Sequence, residues 1–551
     1  MTAVLRALIA SLAFALASCG GGNGGGGDDV TAGTGARTGT ITGTVTNSSN
    51  GSPVSGVTVS AGSLTTTTDA SGNFTLANVP PGSAVVNFTS NSFALQSRTV
   101  TVPAARSTSI NVPVVAVTSV PFTPSTGGAV SVPNSTAQVT LPANGMVQSN
   151  GAAPAGGSGT ARLAPINPAQ SPGLMPGEFV ASLSGGGTAQ IESFGAFDMT
   201  FTDSAGNALN LASGQQATIR IPVGTRSSNP PATIPLMFFN STTGLWVQEG
   251  TATLQGTPPN QYYEGTVTHF TNWNADQVYN TTNVTVCVRD AANQPVSGAR
   301  VTSDGIDYSG TGSATTNAQG TAVVPMKRGG EAAFTATVGT QISNTLSVAA
   351  AQSGTGSFTL SPCLALASAN SGLTITLTWG AAPSDLDSHL IGPGDMHVSY
   401  IDQGSLTSAP FASLDVDDIT SFGPEVVTVT RLAPGRYRYF VHNFSGTFSP
   451  GQTGSPARVE LRTTTETRVF TPPSGEGTNE YWHVFDVVVS STCALSIQTV
   501  NAWMATEPVN TNSGTATFCN TTSRLSALEQ EVYQARLQRA KAAGAVKPKK
   551  N

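Results

Sequence analysis

The sequence predicts an all-β protein: a multidomain string of β-sandwiches, immunoglobulin-like or jelly-roll in form, with an N-terminal tether and a short C-terminal helix. Three observations predict it. Charged residues make up 10% of the chain, far below the roughly one quarter of an ordinary globular domain. Glycine (60) and proline (34) are abundant. They suit tight turns, while Val and Thr fit a half-buried pleated surface. Hydrophobic residues make up 38% and recur in alternating runs, which argues against the disorder that Gly and Ser alone would suggest. At 551 residues the chain is too long for one core, and roughly three to five domains are expected.

The first element is a leader. Residues 1–19 read MTAVLRALIASLAFALASC, with Arg6 as a thin positive region and Ala7 to Ala17 as an apolar stretch. That stretch is too short for a membrane-spanning helix and reads as a cleavable signal. Leu16-Ala17-Ser18-Cys19 resembles the lipobox of bacterial lipoproteins. The resemblance implies cleavage before Cys19, acylation of its thiol and amino group, and anchoring by several acyl chains in membrane lipid. The next residue is Gly20, not the Asp that signals inner-membrane retention in enteric bacteria, so outer-membrane or cell-surface display is expected. Residues 20–38, opening GGGNGGGGDD, form a flexible tether.

A repeat organises the chain beyond the tether. Residues 39–117 contain ITGTVTN, PVSGVTVSAG and TTTDASGNFTLANV; residues 281–363 contain TVCVRDAANQPVSGARVTS and TTNAQGTAVV. Both read strand, Pro-Val-Ser-Gly turn, strand, a turn on Asp69–Gly72 or Asn317–Gly320, strand. The pattern resembles the carboxypeptidase regulatory-like domain, a small sandwich used as a spacer or binding module without catalysis of its own.

Between the repeats, residues 118–280 open with Gly127-Gly128-Ala-Val-Ser-Val and Ala137-Gln-Val-Thr-Leu-Pro142 and close with His269-Phe-Thr-Asn-Trp273. This resembles ZU-type β-domains and modules of cartilage intermediate-layer type. Trp246 and Trp273 are expected as core anchors of two facing strands. Some ZU-type domains cut themselves at such a tripeptide. By that resemblance His269 would be the base and Thr271 the nucleophile, cleaving between Phe270 and Thr271. A closing strand with a packed Phe270 is the favoured alternative.

Residues 364–520 form a further β unit with strands near Leu373–Trp379, Val426–Thr430, Arg436–Val441 and Trp482–Val489. Residues 521–551 change character: Ser526 to Glu529 is a capping box, and six basic residues with no acidic ones follow from Arg536. A short helix with a solvated basic end is expected there.

The chemistry-bearing residues are few. No G-x-S-x-G, H-E-x-x-H, P-loop or helix-opening G-x-G-x-x-G is present, and no enzymatic activity is expected. The five histidines show no recognised metal spacing. The net charge of −6, without a basic stripe before the tail, argues against nucleic acid as a partner. The cysteines after Cys19 form an even set in an exported chain. Order along the chain favours Cys287–Cys363 and Cys493–Cys519 among the three possible pairings.

The strongest constellation is Asp385-Leu-Asp387-Ser-His389, then Leu414-Asp415-Val-Asp417-Asp418, then Gly423-Pro424-Glu425. On a strand, Asp385 and Asp387 share one face while Leu386 turns into the core, and Asp415 and Asp417 repeat the pattern. Asp385, Asp387, Asp415, Asp417 and Glu425 are the candidate ligands of a Ca²⁺ ion, a hard cation that takes six to eight oxygens in irregular geometry. Turn-capping aspartates without a metal are the alternative. His389 shares that face and is expected as a structural imidazole bonded to a carboxylate. The spacing also resembles a bacterial periplasmic and surface domain of uncharacterised function. Taken together, these features point to a membrane-anchored binding or structural lipoprotein whose partner is an unidentified protein or glycan. Self-processing, or service as an accessory subunit of a surface enzyme or secretion system, stands beside that reading.

Overall fold

The computed structural model describes residues 37–519, apart from 291, 339–340, 367–371, 420, 422, 456, 464–466 and 513–515, together with Ala535. Cys19, residues 20–36 of the tether, and the capping box and basic tail lie outside the described residues. Within these the chain is almost wholly strand and turn, interrupted by one short 3₁₀ turn and two helices of five and four residues, Ala350–Gly354 and Gly451–Gly454.

The first sandwich packs a three-stranded sheet against a four-stranded one. In the first, Gly39–Asn47 lies between Asn73–Val79, antiparallel, and Ser107–Val114, parallel. The second runs in the order Leu64–Thr67, Thr58–Ala61, Gly82–Thr89, Gln96–Val102. Their inner faces bury Ile41, Val45, Val59, Phe74, Phe88 and Val112.

The sandwich that begins at Thr281 repeats this wiring, with the sixth and seventh strands each split into two short ones. Thr281–Arg289 pairs antiparallel with Thr321–Lys327 and parallel with Phe358–Thr359 and Leu364–Ala365. Arg300–Gly305 lies between Thr311–Thr315 and Ala332–Val338. The turn chemistry repeats atom for atom. Asp69 Oδ1 accepts from the amides of Ser71 and Asn73, and Asn317 Oδ1 from those of Gln319 and Thr321. Buried Thr68 accepts from Val57 N and donates to Val54 O; Thr316 accepts from Ala299 N and donates to Val296 O.

Gly72 and Gly320 close these turns at φ of 72° and 70°. A Cβ on Gly320 would stand 2.8 Å from Val288 O and Val296 N. A Gly320→Ala variant therefore combines backbone strain with a backbone clash. It is expected to lose about 2 kcal/mol, read as a lower urea midpoint for the unfolding of this sandwich.

The middle region is one connected thirteen-stranded sheet, folded so that its faces serve two cores. Its spine is Thr188–Asp203, paired with Gly159–Ile166 on one side and Asn272–Val278 on the other. Trp246 and Trp273 are both buried, as expected, but they do not face each other. They flank Thr233–Asn240 in one sheet, opposite Phe239 and Phe238 respectively. Adjacent residues of a strand point to opposite faces, so the two indoles serve different cores.

The C-terminal unit packs a six-stranded sheet against a five-stranded one. The six run Gly404–Ser405, Ala412–Val416, Glu425–Val429, Leu373–Thr378, Arg458–Thr463, Thr467–Phe470. The five run Met396–Val398, Asp387–Gly392, Gly435–His442, Tyr481–Val489, Leu495–Met504. Both disulfides form in the order favoured by the chain: Cys287–Cys363 and Cys493–Cys519.

Polar contacts join successive sandwiches. Asn87 donates to Ser241 O across the first junction. Arg226 meets Asp304 at 3.0 Å and Lys327 meets Glu192 at 2.6 Å across the second. Thr345 N donates to Asp415 across the third.

Candidate functional site

The carboxylate constellation lies in the C-terminal unit. Leu386 and Leu390 enter the core, so Asp387 and His389 point to the outer face of their strand. The Gly423-Pro424 turn sets Glu425: Gly423 has φ 73°, and a Cβ there would meet the Trp379 ring at 2.7 Å. The backbone thus runs against the indole and delivers a fully buried Glu425, whose Oε2 accepts from Ser388 N. Ser388 Oγ in turn bonds Tyr439 OH at 2.7 Å.

Of the five carboxylates singled out in sequence, the structure brings Asp387, Asp417 and Glu425 together, with one oxygen of each within 4.8 Å of the others. Asp385 is buried outside this trio, its carbonyl accepting from Ser445 N. Asp415 leaves the group altogether. Its carboxylate accepts from Thr345 N at 3.1 Å and from Thr428 Oγ1 at 2.5 Å. The cause is a bulge: Leu414 pairs with Val427 but Val416 with Val426. The extra residue breaks the period-two alternation, so Asp415 and Asp417 no longer share a face. The trio offers only oxygen donors from three separate segments, a donor set that fits a hard cation such as Ca²⁺.

Three of the five histidines, whose spacing along the chain shows no recognised metal pattern, are brought together by the fold. His389, His397 and His442 gather on the outer face of the five-stranded sheet. His389 Nδ1 lies 2.9 Å from His397 Nε2. His397 Nε2 lies 3.6 Å from Glu507 Oε1, and His442 Nδ1 lies 3.5 Å from Asp387 Oδ2. His389 stacks on Phe440 at 4.8 Å, and His442 on Tyr481 at 4.6 Å. The signal for the pairing was the turn Gly392-Pro393-Gly394-Asp395. Gly394 and Asp395 both have positive φ, and the hairpin sets His397 opposite Ile391, on the face that Asp387 and His389 share.

His269 and Thr271 lie at the end of the middle region. His269 Nε2 stands 3.5 Å from Glu249 Oε2, and its ring packs edge-on against Phe238. Its carbonyl accepts from the Trp273 indole, Phe270 N donates to Asn210, and the Phe270 ring packs on Phe201 at 4.2 Å. Among the described residues no helix is long and apolar enough to cross a membrane.

Solved structures similar to parts of this chain include a protein of unknown function, SAV2460, at 16% identity, covering 26% of this chain and 94% of that one with a TM-score of 0.20. A homologue of the telluride resistance protein TerD from Streptomyces coelicolor A3(2) matches at 16% identity, covering 25% of this chain and 92% of its own, TM-score 0.21. The Bacillus anthracis TIE protein matches at 12% identity over 60% of this chain and 51% of its own, TM-score 0.13. Residues 40–115, which span the first sandwich, match the carboxypeptidase regulatory-like domain, the family that the Pro-Val-Ser-Gly turn and its flanking strands resemble.

Proposed function

We propose that the chain is a membrane-anchored, surface-displayed binding or structural protein, held through acylated Cys19, whose C-terminal sandwich is a recognition unit stabilised by Ca²⁺. The regulatory-like module and its β-sandwich companions are compatible with a binding or structural role. The observation that carries the calcium reading is the convergence of Asp387, Asp417 and Glu425 from three segments onto one point. Three carboxylates this close repel one another when ionised, and a cation among them would offset that repulsion and tie both sheets of the sandwich at that end.

The test is thermal unfolding of the full chain, calcium-loaded against chelated. An ion that binds only the folded state stabilises by about 2.7 kcal/mol at a hundredfold excess over its Kd, so the C-terminal transition is expected to move upward. Asp417→Asn should abolish the shift. Asp415→Asn should leave it intact, because Asp415 bonds Thr345 and Thr428 instead. A melt indifferent to calcium would reduce the trio to structural carboxylates.

A further inference from the structure

The geometry points to a second, separate metal site on the outer face of the same sheet: a zinc-class divalent ion held by His389, His397 and Glu507, with one coordination position open to solvent.

Donor chemistry comes first. The calcium-type trio is all oxygen. Here two imidazole nitrogens and one carboxylate oxygen lie within 4.8 Å of one another. Imidazole suits zinc, copper and nickel and is a poor ligand for calcium. Two histidines and a glutamate with a fourth position left to water is a donor set that zinc uses in catalytic sites.

Distances come next. In tetrahedral zinc with Zn–N near 2.0–2.1 Å, neighbouring ligand atoms stand roughly 3.3 Å apart. His389 Nδ1 and His397 Nε2 are 2.9 Å apart, and His397 Nε2 and Glu507 Oε1 are 3.6 Å apart. The two imidazoles at present share one hydrogen bond. Replacing that proton by a metal asks for an opening of a few tenths of an ångström.

The ligands are also held in place. His389 is buried, 4% exposed, and clamped flat against Phe440 with a 17° angle between the rings. Tyr400 meets it edge-on at 6.1 Å. His397 is fixed by the hairpin register with Ile391. A metal site gains affinity when its ligands need little ordering. The solvent side is open, since the Glu507 side chain is 46% and that of His397 27% exposed, so an ion has a path in and a water can complete the sphere. Charge favours a cation as well. Asp387, Glu480 and Glu507 all stand beside the three imidazoles, within 4 Å of a histidine nitrogen. Asp387, His389 and His442 form a neighbouring group whose ligand atoms also lie within 4.8 Å of one another.

The experiment uses the untagged full chain, stripped with chelator and titrated with Co²⁺ and then Zn²⁺. The expected result is a visible d–d absorption of bound cobalt that saturates at one ion per chain and is displaced by zinc. His397→Ala, a change at a partly exposed position, should remove the band and weaken zinc binding at least about tenfold; Glu507→Gln should weaken it similarly. Asp417→Asn, which disables only the oxygen trio, should leave the band unchanged, so this site and the calcium site fail independently. Far-UV circular dichroism of each variant confirms that it is folded. Absence of a cobalt band, or a band that persists in both His397→Ala and Glu507→Gln, overturns the assignment.

Discussion

Replacing Cys287 and Cys363 together by alanine is expected to cost about 4 kcal/mol. The two residues are 76 apart in sequence, and crosslinking a loop of that length removes roughly that much conformational freedom from the unfolded chain. Structure adds a reason why this sandwich leans on the bond. Its first strand must pair in parallel with its last, the contact of greatest sequence separation in the module. In the first sandwich that ladder is continuous, from Thr40 opposite Ser107 to Asn47 opposite Val114, and no cysteine is present. In the repeat it is broken into two short pieces, Val284–Thr285 against Phe358–Thr359 and Val288–Arg289 against Leu364–Ala365. Cys287 and Cys363 stand at the break. The covalent bond closes what the shortened ladder closes less firmly. Urea unfolding of the double alanine variant against wild type measures the cost, and a loss under about 1 kcal/mol would show that the broken ladder suffices. The Cys493–Cys519 bond spans 26 residues, and its removal should cost less, about 3 kcal/mol.

Sequence made the sandwiches legible because their signals are local. Pro53-Val-Ser-Gly56 and Pro295-Val-Ser-Gly298 announce the same turn twice, and each glycine adopts positive φ. Thr68 and Thr316 do the same structural work, although a threonine in a turn gives no hint of it. The site was legible only in part, since parity along a strand carries information until something breaks the period. It placed Asp387 and His389 on one face. It failed at Asp415, where a bulge between Leu414 and Val416 inserts the extra residue. A bulge leaves no mark in a run of alternating Leu, Asp and Val.

The histidine cluster was hidden for a different reason. His389 and His397 sit on two arms of one hairpin, His442 on the next strand, and Glu507 beyond the last. Metal motifs read from sequence assume ligands on one helix or one loop. A sheet gathers its ligands sideways, across hydrogen-bonded neighbours, and the spacing along the chain then has no fixed value. The same holds for the two tryptophans of the middle region, whose burial was foreseeable and whose opposite facing depended on register.

Raising the pH from 5 to 8 is expected to weaken the joints between sandwiches, and Asp198→Asn should remove much of that effect at the first joint. Asp198 is 2% exposed on the spine of the middle sheet. Burial pushes its carboxyl up to about 7, while backbone amides of Leu95, from the first sandwich, and Met199 hold it lower. At the third joint burial likewise raises Asp415 to about 7, against hydrogen bonds from Thr428 and Thr345. At the second, burial and then the charge of Glu192 raise Asp276. In the unfolded chain each would titrate near 3.9. The folded state therefore binds more protons than the unfolded state between about pH 4 and pH 7, and stability falls as pH rises through that window. A shift of about three pH units on a fully buried group corresponds to a loss on the order of 4 kcal/mol by pH 8; Asp415, which keeps some contact with solvent, should contribute less. Melting the wild type and Asp198→Asn at pH 5 and pH 8 separates this carboxyl from the histidines that titrate in the same range, because only the difference between the two proteins is read. Relative to wild type the variant should gain most at pH 8 and less at pH 5, where only about a third of the span from pH 4 to pH 7 has been crossed. Equal pH dependence in both would mean that Asp198 is ionised in place, and the first joint would then hold a buried charge instead of a protonated carboxyl.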